Sequence, residues 1–147
     1  RASRGLQGFL SRGEETGVEP ETAGRQPVPG PPGNVLVDPY RQEVWDYLLE
    51  VGTEAKDLGF DEVQLDYLRF PNEASAGQVV YDEAVIRGRS KTDTILECTN
   101  YLYENLASQG LFVSADVFGT IIGSGVDSTA VGQNYTEMAK ILDYICR

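Results

Sequence analysis

The sequence predicts an α/β fold in which helices cover a parallel sheet of three to four strands. Two stretches with helical apolar spacing end at Gly59 and Gly110, and a short apolar strand follows each of them. This helix–glycine–strand order is half of a parallel βαβ unit. The strands also share one alternating pattern, with an aspartate near each exit, which favours a barrel-like sheet.

The central strand is predicted within residues 60–71, where side chains alternate between two faces. One face suits packing under helices, whereas the other is mixed and polar, as in a barrel interior or a cleft. The two faces consist of Val63, Leu65 and Tyr67, and of Gln64, Asp66 and Leu68. Pro71 lacks an N–H and ends the ladder. Asp66 therefore lies near the carboxyl end of the strand, where α/β proteins place their chemistry.

Upstream, residues 1–33 are rich in glycine, proline and unpatterned charge, which predicts an irregular or disordered lead-in to a domain at 34–147. Residues 35–37 are a short strand candidate. Asp38 and Pro39 then predict a helix start, with the aspartate as N-cap and the proline at the first helical position. Asp38 also ends a strand, so it could line a site.

Downstream, residues 72–89 form a loop that is long for a βα connection. Tyr81 and Asp82 within it could touch a ligand, or the loop could be a plain surface excursion. A helix is predicted over 90–109, with Cys98 on its apolar stripe as a core residue.

The strand predicted at 111–119 repeats the phase of the central strand and brings Asp116 to its exit. Residues 120–132 are rich in glycine and serine, which predicts a mobile segment. Asn134 has the spacing of a helix cap. Residues 143–146 begin a fourth strand, and the chain is expected to be a fragment of a longer protein.

Composition excludes several functional classes. The net charge of −11 disfavours nucleic acid and anionic membrane surfaces but not a neutral sugar. The sequence contains no histidine, which removes Ser-His-Asp and Cys-His machinery and histidine-bearing zinc sites. Cys98 and Cys146 are too few for a four-cysteine metal site, although they could pair. No apolar run approaches the roughly 18 residues that a membrane helix needs.

Carboxylates remain as the plentiful acid–base groups, and Asp66 and Asp116 end successive strands in the same phase. Because neighbouring strands lie about 4.8 Å apart, the two carboxyls could come within roughly 5 to 10 Å of each other. Glycoside cleavage needs such a pair: one group protonates the leaving oxygen and the other attacks or activates water. Arg69 could hold one carboxylate ionised, and Tyr67 and Phe70 could offer apolar faces to a sugar. Either aspartate could equally be a loop cap or a structural ion-pair partner.

Four motifs occur in order at regular spacing. They are VDPY at 37–40, EVWDY at 43–47, LGFDEVQLDYLRFP at 58–71 and VSADVFG at 113–119. Together they closely resemble a bacterial family of predicted glycoside hydrolases. The resemblance implies an eight-stranded TIM-type βα-barrel distantly related to the α-amylase clan. Three complete strands and part of a fourth would be a truncated piece of such a barrel, which needs about 250 residues.

The resemblance also implies roles for individual residues. Asp66 would be the nucleophile or charge stabiliser, and Asp116 an acid–base group or a substrate contact. The α-amylase clan more often has a glutamate acid on the following strand, and this sequence has an aspartate there. The substrate-binding candidates are Tyr67, Arg69, Asp38 and Gln64. A polysaccharide substrate, no cofactor, no metal, partnership with the remaining barrel strands and an extracellular or cell-envelope location are implied, with the isolated fragment inactive.

Other functional classes stay open. A non-catalytic carbohydrate-binding barrel would use the same carboxylates to hydrogen-bond sugar hydroxyls. A flavodoxin-like open sheet with a regulatory or binding role would suit three βα units, although no glycine-rich phosphate loop follows any strand. A metal site built from Asp38, Asp66 and Asp116 is also conceivable.

Overall fold

The structure, a computed structural model, describes residues 28–29, 35–71 and 79–146. The strands are β1 (Val28–Pro29), β2 (Val35–Leu36), β3 (Glu62–Leu65), β4 (Phe112–Asp116) and β5 (Tyr144–Cys146). The α-helices are α1 (Gln42–Asp57), α2 (Glu83–Ile86), α3 (Lys91–Ala107), α4 (Gly125–Val131) and α5 (Tyr135–Ile141). Apart from β1, the predicted lead-in at 1–33 lies outside the described residues.

Three parallel strands, β3, β4 and β5, form the main sheet in sequence order. Leu65 pairs with Ala115, and Ala115 pairs with Ile145. Strands that neighbour in sequence and are linked through helices are the building units of a βα-barrel. The predicted α/β class, with parallel strands as in part of such a barrel, is confirmed, and so is the strand predicted at 143–146.

The first predicted strand lies elsewhere. Val35–Leu36 pairs antiparallel with Val28–Pro29 instead of joining the described sheet. The two segments are close in the chain, so this pairing closes a short loop at low entropic cost. The interpretation of residues 35–37 as a member of the parallel sheet is therefore wrong for the described residues.

The core lies between one face of the sheet and the helices α1 and α3. Val63 and Leu65 of β3 are buried on this face, as predicted, and so are Val113 and Ala115 of β4. A Cβ at Gly52 in α1 would lie 2.7 Å from a Leu106 methyl group of α3. Glycine at this position therefore lets the two helices approach closely.

The helix starts confirm some predictions and correct others. Ser90 and Asp93 form a reciprocal capping box at α3, and Asn134 caps α5 by accepting from the Glu137 N–H. These bonds satisfy N–H groups that the first helical turn leaves unpaired. The predicted mobile stretch 120–132 instead contains α4 and most of a 3₁₀ helix at Gly119–Ile122.

Asp38 is not a helix cap. The helix α1 begins at Gln42 with Arg41 as its N-cap residue, and no side chain bonds to that helix end. Asp38 Oδ1 instead accepts from the Tyr40 N–H at 3.0 Å, and the other carboxylate oxygen lies 3.5 Å from Arg41 Nε. The Asp38–Pro39 pair therefore begins a local turn. Turns and helix caps favour the same residue types, so the sequence fits either structure.

Candidate active site

Two aspartates lie at the carboxyl end of the sheet, one at the exit of β3 and one at the end of β4. The register pairs Leu65 with Ala115, so Asp66 and Asp116, the next residue of each strand, lie at the exits of neighbouring strands. Both side chains are partly exposed. The structure therefore places the two aspartates that sequence alternation singled out at the exits of neighbouring strands.

Neither carboxylate has a hydrogen bond or an ion pair within the part of the chain that the structure describes. Arg69, which was considered as an ion-pair partner, donates instead to the Phe70 carbonyl at 3.1 Å. Its guanidinium also lies 5.1 Å from the centroid of the Tyr67 ring and 5.1 Å from that of the Phe118 ring. Such cation–π contacts are worth about 0.5–1 kcal/mol each at exposed sites.

We call Tyr67, Arg69 and Phe118 the rim stack. Tyr67 was expected to pack under a helix, and this expectation is wrong, because the side chain is 53% exposed. The strand ends at Leu65, and Tyr67 has a left-handed φ of 57°, which turns the chain out of the strand alternation. Phe118 is 39% exposed, so both rings face solvent in the segments that follow β3 and β4.

Polar residues also line the face of β3 that was predicted to be mixed and polar. Gln64, a predicted substrate-binding residue, is partly buried on this face and pairs in register with Ser114. The Ser114 hydroxyl donates to Glu62 Oε1 at 2.7 Å. The mixed, polar character predicted for this face is therefore present.

An aromatic triad packs against the turn that follows β3, and Asp38 is joined to it through the Tyr40 N–H. Tyr40 lies 4.9 Å from Phe70 and 5.2 Å from Tyr81, measured between ring centroids, and Phe70 lies 5.6 Å from Tyr81. Burial, with added effects of Asp38 and Tyr40, raises the pKa of Tyr81 to about 12, so its phenol stays protonated at neutral pH. Asp82 caps α2 by accepting from the Ala84 N–H at 3.0 Å.

Sequence reasoning missed Gln133, whose side chain links the two strand exits. It is 0% exposed, accepts from the Phe118 N–H at 2.9 Å, and donates to the Leu68 carbonyl at 3.1 Å and the Asp116 carbonyl at 3.3 Å. The residue sits between Gly132 and the helix-capping Asn134, in a stretch with no apolar period. No local pattern signals bonds to residues this distant in sequence.

The two cysteines and the candidate metal ligands are the remaining residues to consider. Cys98 is buried in the core as predicted, and burial raises the pKa of its thiol to about 12. Cys98 and Cys146 are both free thiols. Among the described residues, no group of three or more carboxylate, thiol or imidazole side chains is placed to hold a metal ion.

Comparison with known families decides the relationship. The profile of a family described as "Putative glycosyl hydrolase domain" matches residues 21–147. The chain belongs to this family. Membership confirms the family that the motifs resembled and supports a glycoside hydrolase-like function. No curated protein matches the chain.

Three solved structures are similar. The glycoside hydrolase domain of PgaB (BpsB) from Bordetella bronchiseptica has a TM-score of 0.53 and 16% identity, over 90% of this chain and 43% of that one. A hypothetical protein from Ruminiclostridium thermocellum ATCC 27405 is 39% identical over 60% of this chain and 42% of that one, with a TM-score of 0.49. Ega3 from Aspergillus fumigatus, in complex with galactosamine, has a TM-score of 0.46 and 14% identity, over 78% of this chain and 36% of that one. The likeness to PgaB supports the fold, and the chain spans less than half of each matched structure.

Within the described residues, every helix is too short or too polar to cross a bilayer.

Proposed function

We propose that the chain is part of a glycoside hydrolase that cleaves a polysaccharide through Asp66 and Asp116. The observation that carries the proposal is the parallel register of β3 and β4, which sets these two residues at neighbouring strand exits. Neither carboxylate has a partner among the described residues, so both are available to a ligand. Family membership supports the reaction class.

Each aspartate has a role in the proposed reaction. Asp66 attacks the anomeric carbon or stabilises the positive charge that develops there. Asp116 protonates the leaving glycosidic oxygen and later activates water, or contacts the substrate if a second acid comes from the rest of the protein. A pair of carboxyl groups is the usual equipment for both retaining and inverting cleavage, and the reaction needs no cofactor.

The rim stack provides the sugar-binding surface in this proposal. Tyr67 and Phe118 present partly exposed rings, and the apolar face of a sugar can pack on an aromatic ring. Arg69 is held between the rings, with guanidinium donors directed at substrate hydroxyls. Asp38, in the turn before α1, and Gln64, on the polar face of β3, supply further hydrogen-bonding groups.

The remaining strands of the barrel are the proposed structural partners. In the described sheet, β4 is flanked on both sides, whereas β3 and β5 each have one unpaired edge. Unpaired edges of apolar strands favour further pairing. We propose that additional βα units of the full-length protein pair with these edges and close the barrel around the polar face.

The test is hydrolysis by the full-length protein on a panel of polysaccharides, with reducing ends as the measured product. We expect Asp66→Asn and Asp116→Asn each to lower kcat by about 10²–10⁴-fold, the range for loss of a positioned acid–base group. Asp61→Asn is the matched control, because Asp61 is an exposed aspartate at the opposite end of β3. Full activity of Asp66→Asn would refute the assignment, and binding without cleavage by the native protein would favour a carbohydrate-binding barrel.

A further inference from the structure

We infer that Gln133 is a positioning residue, which fixes the exits of β3 and β4 relative to each other and thereby orients Asp66 and Asp116. The inference rests on the proposed function for its catalytic part. Its structural part rests on the hydrogen bonds of a single buried amide.

The chemistry of this amide allows one orientation only. The Phe118 backbone N–H can only donate, so it must face the carbonyl oxygen of the Gln133 side chain, 2.9 Å away. The carbonyls of Leu68 and Asp116 can only accept, so they must face the amide nitrogen, at 3.1 Å and 3.3 Å. One side chain thus serves three backbone groups on two different turns.

The position of these three groups explains why the link matters. Leu68 lies two residues after Asp66 in the turn that leaves β3. The other two groups belong to Asp116 itself and to Phe118 of the rim stack. Any relative movement of the two turns would lengthen the bonds of an amide that is itself fully buried, where an unpaired polar group is costly.

A backbone hydrogen bond close to Gln133 also fixes the end of α4 to the turn after β3. In this bond the Phe70 N–H donates to the Val131 carbonyl at 2.8 Å. The Ser128 hydroxyl donates to the Gln133 carbonyl and holds its backbone. The backbone of Gln133 is therefore held in place, so its side chain can fix the exit of β3 relative to the exit of β4.

Two variants separate the accepting and donating halves of the amide. Gln133→Met keeps the approximate volume and removes all three bonds. Gln133→Glu still accepts from the Phe118 N–H but, with at most one proton, can donate to no more than one of the Leu68 and Asp116 carbonyls. Gln109→Met is the matched control, because the Gln109 amide bonds to Thr53 and Asn105 at the opposite end of α3.

The measurements are amide hydrogen exchange of Phe118 by NMR and the steady-state kinetics of the full-length protein. Thermal melting first establishes that each variant is folded. We expect exchange at Phe118 to rise on the order of tenfold in Gln133→Met and to stay protected in Gln133→Glu. In both variants kcat should fall on the order of 10²-fold with little change in KM, as expected for misplaced catalytic groups around an intact sugar-binding surface.

The outcomes distinguish this inference from the proposed function. Unchanged exchange at Phe118 in Gln133→Met overturns the link, and native kcat in both folded variants overturns the positioning role. An equal loss of kcat in Gln109→Met would show a general loss of stability and would also overturn it. Native activity in Asp66→Asn refutes the proposed catalytic pair instead, and the exchange measurement then still decides whether Gln133 holds the two exits together.

Discussion

The two ends of the parallel sheet are built differently. At the amino end, the connections into β3 and β4 use backbone hydrogen bonds and the open glycine turns Gly59 and Gly110. A Cβ added at either glycine would meet nothing within 4 Å. At the carboxyl end, a buried glutamine joins the turns, a tyrosine has a left-handed backbone, and two carboxylates have no partner among the described residues.

This difference indicates what each end does. Backbone bonds and glycine turns are sufficient to reverse a chain. A left-handed non-glycine residue costs free energy, and such backbone strain concentrates at functional sites. The comparison therefore indicates chain connection at the amino end and supports the proposed ligand contact at the carboxyl end.

The largest expected effect on stability comes from comparing one phenylalanine at each end of the parallel sheet. Phe70, at the carboxyl end, is 0% exposed and packs against Tyr40 and Tyr81. We expect Phe70→Ala to cost about 3–5 kcal/mol of unfolding free energy, from lost burial and the cavity left behind. Phe60→Ala, at the partly buried amino-end position, should cost less. Chemical denaturation measures both, and a larger loss for Phe60→Ala would contradict the proposed asymmetry.

Two left-handed glycines give the next effect. Gly59 has φ of 90° with open space around it, whereas a Cβ at Gly132, with φ of 77°, would lie 2.8 Å from the Lys91 carbonyl oxygen. Alanine should cost about 1–2 kcal/mol at either position from the backbone conformation alone. At Gly132 the contact with rigid backbone adds to this cost. We expect a clearly lower Tm for Gly132→Ala than for Gly59→Ala. Equal Tm values would show that the backbone at the start of α3 shifts to accommodate the new Cβ without a loss of stability.

The third effect contrasts two non-glycine residues with left-handed backbones. Arg87, with φ of 54°, ends α2, and Tyr67, with φ of 57°, lies in the rim stack. Arg87→Gly should gain up to about 1 kcal/mol of stability by relieving strain, with no effect on sugar binding. Tyr67→Gly relieves the same strain but loses its contact with Arg69, so stability should change little.

Sugar affinity separates the same pair of variants. We expect Tyr67→Gly to raise the Kd for an oligosaccharide because an exposed ring is removed from the proposed surface. Arg87→Gly should bind as the native protein does. Isothermal titration with an oligosaccharide product measures both, and unchanged affinity in Tyr67→Gly would remove the rim stack from the binding surface.

Much of this architecture was predictable from the sequence, because it depends on periodicity. Alternation placed Val63 and Val113 in the core and set Asp66 and Asp116 in the same phase, and the observed register agrees with both. Glycine marked the carboxyl ends of α1 and α3, and Asn134 marked the start of α5. These features depend on residues within one turn or one strand, where local pattern is informative.

The features that were missed depend on choices that local pattern does not fix. Alternation was extended to Tyr67, two residues past the end of the strand, although a tyrosine gives no sign of a positive φ. Asp38 precedes a proline in a way that suits a helix start and a turn equally. Gln133 bonds across 65 residues to Leu68, and only the folded chain brings these two together.

The smallest expected effect concerns a carboxylate at the carboxyl end that does have partners. The Ser90 hydroxyl and backbone N–H donate to Asp93 at the start of α3 and lower the pKa of the Asp93 carboxyl. Because the folded-state pKa is below the unfolded value near 4, this capping stabilises the fold above about pH 4 and is lost as the pH falls through the folded pKa.

Removing either partner should flatten this acid dependence. We expect the Tm difference between the native protein and Asp93→Asn to be constant above about pH 5 and to shrink below about pH 4. Ser90→Ala should give the same shape, since it removes the hydroxyl donor from the other side. Thermal melting across this pH range is the measurement. A Tm difference that grows as the pH falls would mean that folding does not lower the pKa of Asp93.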